Sequence, residues 1–468
     1  MTRPSLAAPS APRLARDPFV RVTLRPCGAL RAVAGLAVLA VLASAVATSP
    51  LAAQARPDAG APKRTAIRAA RLLDPASGSF TENAVVLITG DSITQVGSNL
   101  AIPAGATVID LGKATLLPGL IDVHSHLTSS RASYYDGLFR RSVLDAAVRA
   151  PANARRTVEA GFTTVRDVGA GEYLDVALRN AINAGDLVGP RMLVATMALS
   201  ATGGHGDLSG FSPYLHFEGL GGPVDGIEPI RKRVRTNIKF GADLIKVAAG
   251  AGVLSEEESV GAPQYTQAEL DALVDEAKMW GRKVAAHAHG AEAIKRAIKA
   301  GVASVEHAGL IDEEGVALAK QHGTFLVPDV YTDVWIIEQG ASMGLPEKIL
   351  DKERQLRKFQ EVNWGRARAA GVKFAFGTDA GVFPHGENGR QFRYLVEVGF
   401  PPLMAIQMAT VNAAELIGWS GRVGTLSAGA FADLIAVDGD PLANVRVLEK
   451  PSFVMKGGKV VVGKGAGA

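Results

Sequence analysis

Two histidines, His124 and His126, close the apolar stretch LLPGLIDVHSHL at 116–127. In an extended chain residues i and i+2 share a face, so both imidazoles converge at the end of one strand. Neutral imidazole is a common ligand for zinc and similar cations. Alone, the pair also fits two exposed loop residues. The chain adds Lys246 in LIKVAA, His287 in AHAHG, His307 in VEHAG and Asp379 in FGTDAG, each in or just after an apolar run. A lysine within such a run carries a costly ammonium unless it is neutral or paired. A neutral amine can take up carbon dioxide as a carbamate, whose two oxygens can bridge two cations. A buried stem with its ammonium reaching solvent explains Lys246 equally well by itself. In the company of four histidines and an aspartate, the carbamate is the preferred reading.

The elements that must position these groups are strand-like runs at 120–126, 163–168, 192–197, 243–248, 283–287, 303–307, 324–327 and 372–378. Helical patterns fall between them at 174–184, 227–240, 267–280, 291–300, 313–321 and 347–370. This alternation predicts an α/β fold, a (β/α)8 barrel. An open doubly wound sheet is the competing arrangement, but no Gly-x-Gly-x-x-Gly loop follows the first strand. Barrel sites sit at the carboxyl ends of strands, where the candidate groups fall. Both ends of the remaining chain read as short strands: 84–88, 93–96 and 107–111 before the barrel, and 432–437, 445–448 and 452–462 after it. Gly90-Asp91 and Gly457-Gly458 read as turns.

Residues 1–55 read as a removable leader. Six arginines precede an uncharged Ala/Val/Leu run, and Ala53-Gln54-Ala55 fits a small-x-small cleavage site. A retained membrane anchor is the other reading of that run. No Arg-Arg pair precedes it, which favours the general secretion route over the twin-arginine one. The leader holds six Arg and one Asp, so its removal takes the formal charge from +4 to −1. The mature chain therefore carries no basic surplus for nucleic acid. The sole cysteine, Cys27, leaves with it, which suits an oxidising compartment and excludes disulfides and thiolate ligands. The expectation is an exported protein, periplasmic or secreted, without stable membrane association after cleavage.

With these motifs, and TGGHGD at 202–207, the chain resembles the amidohydrolase superfamily, in particular its prolidase-like and imidazolonepropionase-related branch. Behind the expected signal peptide at 1–55 and a Pro/Ala/Gly linker at 56–64, the resemblance implies a barrel at 118–423 and a small β-sandwich built from 65–117 and 424–468. It also implies that His124, His126 and Asp379 hold one divalent metal and His287 and His307 a second, bridged by N6-carboxylated Lys246; nitrogen-rich ligation favours zinc. Asp379 then serves as proton acceptor and later donor, and His205 as donor to the attacked carbonyl. His289 has a substrate or a structural role, while His385 and Asn388 line the mouth. His216 and His322 carry no expected role. The implied activity is hydrolysis of C–N bonds in dipeptides, Xaa-Pro or other, or in N-acyl amino acids, including ochratoxin-like amides. A one-metal hydrolase or deaminase of cyclic amidines or ureas is the alternative, and a non-catalytic scaffold a third reading. The partner is a small molecule, not nucleic acid, and a homo-oligomer is compatible with the sequence.

Overall fold

The computed structural model describes residues 62–129, 140–207, 209–210, 212–214, 222–255 and 259–463. The leader to Ala55, nearly all of the linker and His216 lie outside these residues.

The chain opens with β1 (Arg64–Leu73), β2 (Phe80–Thr89) and β3 (Ser92–Ser98), an antiparallel meander. The β2–β3 hairpin turns at Gly90-Asp91, with Gly90 at a φ of 63°. Two short strands, β4 (Thr107–Asp110) and β5 (Thr115–Pro118), then pair parallel to β1.

Seven parallel strands follow, buried along nearly their whole length, as expected of strands covered on both faces. Three form one sheet: β6 (Leu120–Ser125), β7 (Phe162–Asp167) and β8 (Arg191–Val194). Four form another: β9 (Leu244–Ala248), β10 (Lys283–Ala288), β11 (Ser304–His307) and β12 (Phe325–Val327). Helices alternate with them at Leu174–Ala184, Ile227–Lys239, Gln267–Met279, Ala291–Ala300, Glu313–His322 and Glu347–Ala369. Their ends carry local signals: a Thr266–Glu269 capping box, an Asp312 N-cap, and left-handed Gly301 and Gly323 after the last turns.

Backbone hydrogen bonds join the two parallel sheets. Asp243 N–H donates to the Val194 carbonyl (2.8 Å), and Leu199 N–H to that of Lys246 (2.9 Å). On the other side Leu326 N–H donates to Lys373 (2.9 Å), Val123 N–H to Phe376 (2.9 Å) and Asp379 N–H to His124 (2.7 Å). The expected strand at 372–378 is not regular, however. Phe376 N–H turns away to the Met408 carbonyl and Ile121 N–H to that of Ala409, so the 408–409 segment interrupts the ladder. Only an isolated bridge, Leu326 to Phe374, remains.

After the barrel-like region the chain returns with β13 (Leu434–Val437), β14 (Phe453–Lys456) and β15 (Lys459–Val462). β13 pairs antiparallel with β5, so both ends of the described chain share one eight-stranded sheet in the order β15-β14-β13-β5-β1-β2-β3, with β4 on β1. Gly457 (φ 54°) and Gly458 (φ 72°) make the β14–β15 turn. A Cβ on Gly458 would lie 2.1 Å from the Gly90 carbonyl oxygen, so the two hairpin tips meet backbone to backbone.

The stretch 445–448, expected as a strand, is a 3-10 helix (Val445–Glu449). Asn444 caps it by accepting from Arg446 N–H, and buried Val445 and Leu448 lie three residues apart, one 3-10 turn. The helix Val143–Glu159 was not expected from the sequence, because Pro151 in its middle reads as a breaker. The helix Val330–Gln339 was also unforeseen.

Candidate metal centre

The strand ends bring the expected imidazoles to one buried place. The His124 ring centroid lies 5.5 Å from that of His126 and 5.0 Å from that of His307. His287 is 4.5 Å from His307 and 5.0 Å from His289, and His289 stacks on His307 at 4.7 Å. Asp379 Oδ1 lies 3.4 Å from His124 Nε2 and 3.2 Å from His126 Nε2. Two overlapping groups present ligand atoms within 4.8 Å of one another: His124, His307 and Asp379, and His287, His289 and His307. Backbone strain marks the place, since His307 (φ 67°) and Asp379 (φ 54°) both adopt the left-handed region that L residues avoid.

Electrostatics divide these rings. His287, His289 and His307 are kept neutral and ready to donate lone pairs, whereas at His126 burial pushes the pKa down but the Asp379 carboxylate bonded to the ring prevails and raises it. Burial drives His287 and His289 well below the ordinary imidazole range, and His307 down to about 3. Burial also tends to raise Asp379, but the neighbouring imidazoles of His124 and His126 prevail and hold its carboxyl well below the usual range. The centre thus combines neutral imidazoles with an anionic carboxylate, a donor set suited to divalent cations. Buried His287 Nε2 and His289 Nδ1 find no hydrogen-bond partner among the described residues, as expected of nitrogens that face a cation.

Lys246 is buried in β9, in register with Ala285 of β10. Burial lowers its pKa, and Glu306 and Asp379 oppose that shift. The sequence-based choice between a snorkelling ammonium and a buried amine is therefore narrowed: the side chain does not reach solvent.

His205 stacks on His287 from outside the cluster, with centroids 4.0 Å apart and planes 11° apart. Its backbone N–H donates to Gln264 Oε1 (2.9 Å) and its Nδ1 meets Ser255 Oγ (2.9 Å). Ser255 Oγ itself donates to the Gly252 carbonyl (3.2 Å), which puts the shared proton on Nδ1. Donation from Nε2 then requires the imidazolium form.

Two candidates for the mouth are buried. Asn388 is fully buried, and its amide donates to Asp122 Oδ2 (2.8 Å), so it braces the structure from inside instead of lining an opening. His385 is also buried; its Nε2 donates to the Ser129 carbonyl (2.9 Å), pinning the chain after β6. His322 ends its helix exposed.

Four buried acids that sequence reasoning passed over orient the centre. Asp329 Oδ2 takes the proton of His307 Nδ1 (2.8 Å). Asp167 accepts from Leu127 and Gly169 N–H and so shapes the turn whose Gly169 carbonyl meets His126 Nδ1 (2.9 Å). Asp122 holds the Thr378 hydroxyl (2.5 Å), next to Asp379. Glu306 Oε2 lies 3.1 Å from His124 Nδ1. At His307 and His126 the Nδ1 partner leaves Nε2 facing the cluster. The signal was present: each acid sits within an apolar run, as Lys246 does.

Comparison with known proteins gives the chain a family. A model of the amidohydrolase family matches residues 115–461. Ochratoxinase of Aspergillus niger is 34% identical over 425 residues, covering 85% of this chain and 87% of that protein. Among solved structures, a Xaa-Pro dipeptidase with bound methionine in its active site superposes with a TM-score of 0.81 at 37% identity, covering 85% of this chain and 99% of that one. The crystal structure of the A. niger ochratoxinase does so at 0.75 and 32%, covering 87% and 97%.

Proposed function

The chain belongs to the amidohydrolase family, and on that footing we propose an exported, metal-dependent hydrolase of linear C–N amide bonds, acting on dipeptides such as Xaa-Pro or on N-acyl amino acids, ochratoxin-like amides included. The observation that carries this reading is the convergence of five neutral or carboxylate-paired imidazoles and Asp379 on one buried site. Similarity to the dipeptidase and to ochratoxinase supports the substrate class.

We read the parallel strands and the bonds that join them as a closed (β/α)8 barrel over 118–423. The eight-stranded sheet of 65–117 and 424–468 is read as a small β-sandwich. His124, His126 and Asp379 would hold one divalent cation and His287 and His307 a second, with carboxylated Lys246 between them; the nitrogen-rich set favours zinc. When bound, such cations acidify water and polarise carbonyl oxygens. Asp379 accepts the proton of the attacking water and returns it to the leaving nitrogen. His205, as imidazolium, donates from Nε2 to the carbonyl oxygen as negative charge builds there. His289 stands beside the second cation position, where it can meet substrate or add a nitrogen ligand.

Metal analysis combined with a hydrolysis screen tests the reading. It expects about two metal ions per chain and turnover of Xaa-Pro dipeptides, N-acyl amino acids or an ochratoxin-type amide. Turnover of cyclic ureas or amidines alone, with about one metal per chain, would replace it by the one-metal alternative; metal-free, inactive protein would leave a scaffold.

A further inference from the structure

Glu306 precedes His307 in β11 and has no accessible surface. A buried carboxylate is costly unless its charge and lone pairs are answered. Oε1 is answered fully, by Arg166 Nη2 (2.8 Å) and Ser304 Oγ (2.5 Å). Arg166 is itself buried, donating also to Ser304 Oγ (3.0 Å) and to the Val123 carbonyl. Oε2 lies 3.1 Å from His124 Nδ1; the alignment falls short of a full hydrogen bond, yet neither atom has another partner among the described residues. On the other side of the same ring, Nε2 faces Asp379 at 3.4 Å.

Resting on the metal-dependent reading above, we propose that Glu306 is a positioning residue that fixes the tautomer of His124. A carboxylate against Nδ1 repels a lone pair there and favours N–H, so the lone pair is left on Nε2, where a cation would be held. Arg166 and Ser304 hold Oε1, which leaves Oε2 turned toward His124 Nδ1. The Arg166–Glu306 pair thus joins β7 to β11 and delivers an acceptor to the end of β6.

Glu306→Gln tests this. The amide oxygen can keep the Arg166 and Ser304 bonds, which turns the NH2 group toward His124 Nδ1. The ring proton should then move to Nε2, the cation-facing nitrogen. Two readouts are needed: the His124 tautomer by 15N NMR of metal-free protein, assigned against His124→Asn, and zinc affinity by competition with a chromogenic chelator. The expected result is a switch from Nδ1–H to Nε2–H and a ~10–100-fold weaker zinc affinity. Glu306→Asp keeps the countercharge for Arg166 but draws the carboxylate back from Nδ1; it should weaken zinc binding in the same direction, and serves if the Gln variant does not fold. A folded variant with wild-type tautomer and zinc affinity would overturn the proposal. Wild-type protein that binds no zinc would instead sink the metal-dependent reading, while the tautomer measurement would still decide the role of Glu306.

Discussion

The imidazole of His205 lies face to face with that of His287, with centroids 4.0 Å apart and planes 11° apart. The two come from different parts of the chain: His205 from the loop after β8, His287 from β10. The contact sets His205 against the His287–His289–His307 group with a ring that is itself in neither group of converging ligand atoms.

The seat of His205 depends on Gly252. A Cβ there would lie 2.2 Å from His205 Cε1 and 2.3 Å from Nδ1, too close for any rotamer adjustment of a methyl. Gly252→Ala should push the ring off its stack on His287. Turnover should fall, toward the ~10²-fold expected for losing one transition-state donor, while metal per chain stays at the wild-type value. Unchanged kcat in a folded variant would show that His205 does not need this position.

Legibility followed distance along the chain. His124, His126, His287, His307 and Asp379 were readable because burial at strand ends is encoded locally, by the apolar run that precedes each. Lys246 was readable because an amine in an apolar run demands an explanation. The same demand applied to Asp122, Arg166, Glu306 and Asp329, but their answers lie far off: Asp122 meets Thr378 256 residues away and Arg166 meets Glu306 140 away. A sequence shows that a buried charge needs a partner and does not say which one. Asn388 misled for the same reason, since a polar residue in a glycine-rich loop looks exposed until its bond to Asp122 is known. Among the elements, Pro151 hid a helix, and the irregular course of 372–378 depends on the Phe376 hydrogen bond to Met408, and on that of the neighbouring Ile121 to Ala409, which no periodicity announces.

The leader makes a prediction of its own. Protein exported by a bacterial host should begin near Arg56, after the Ala53-Gln54-Ala55 site. N-terminal sequencing reads this directly, and soluble, active, exported protein that still starts at Met1 would end the signal-peptide reading.

Lys246 should prove indispensable. Lys246→Ala removes the group read as the bridge, so activity should be lost and metal content should drop. Short carboxylic acids added to the variant should restore part of both by standing in for the carbamate. A variant with full activity and a wild-type metal content would remove the lysine from the centre.

Glu276 gives the protein an acid-sensitive joint between the helices Ile227–Lys239 and Gln267–Met279. Its fully covered carboxylate accepts from Arg235 (2.7 and 2.9 Å), Arg231 (3.2 Å) and Trp280 Nε1 (3.0 Å). The Arg235 bonds above all hold its pKa down to about 2, against an ordinary 4.5. A carboxyl depressed in the folded state contributes stability that is present above its unfolded pKa and lost as pH falls through its folded one. Glu276→Gln should therefore lower the unfolding free energy at neutral pH by ~1.5–3 kcal/mol, as for bonds to charged groups. The gap to wild type should narrow from about pH 4.5 downward and close near pH 2. A gap that stays constant across that range would assign the loss to packing instead of charge.

The last prediction separates His205 from the ligand histidines. His205 bonds Ser255 through Nδ1 and stacks on His287, but belongs to neither group of converging ligand atoms. His205→Asn should therefore leave fold and metal content intact and lower kcat, because the bond it makes strengthens only as the carbonyl oxygen gains charge. Loss of one such donor typically costs ~10²–10³ in kcat, or ~2.7–4 kcal/mol of barrier. His287→Asn should behave differently, since His287 Nε2 is a buried nitrogen with no partner among the described residues and stands within ligand reach of His289 and His307. That variant should lose metal from the second position as well as rate. Measuring kcat, KM and metal per chain for both decides between the roles: a His205 variant that loses metal is a ligand variant, and one that keeps wild-type kcat plays no part in the chemistry.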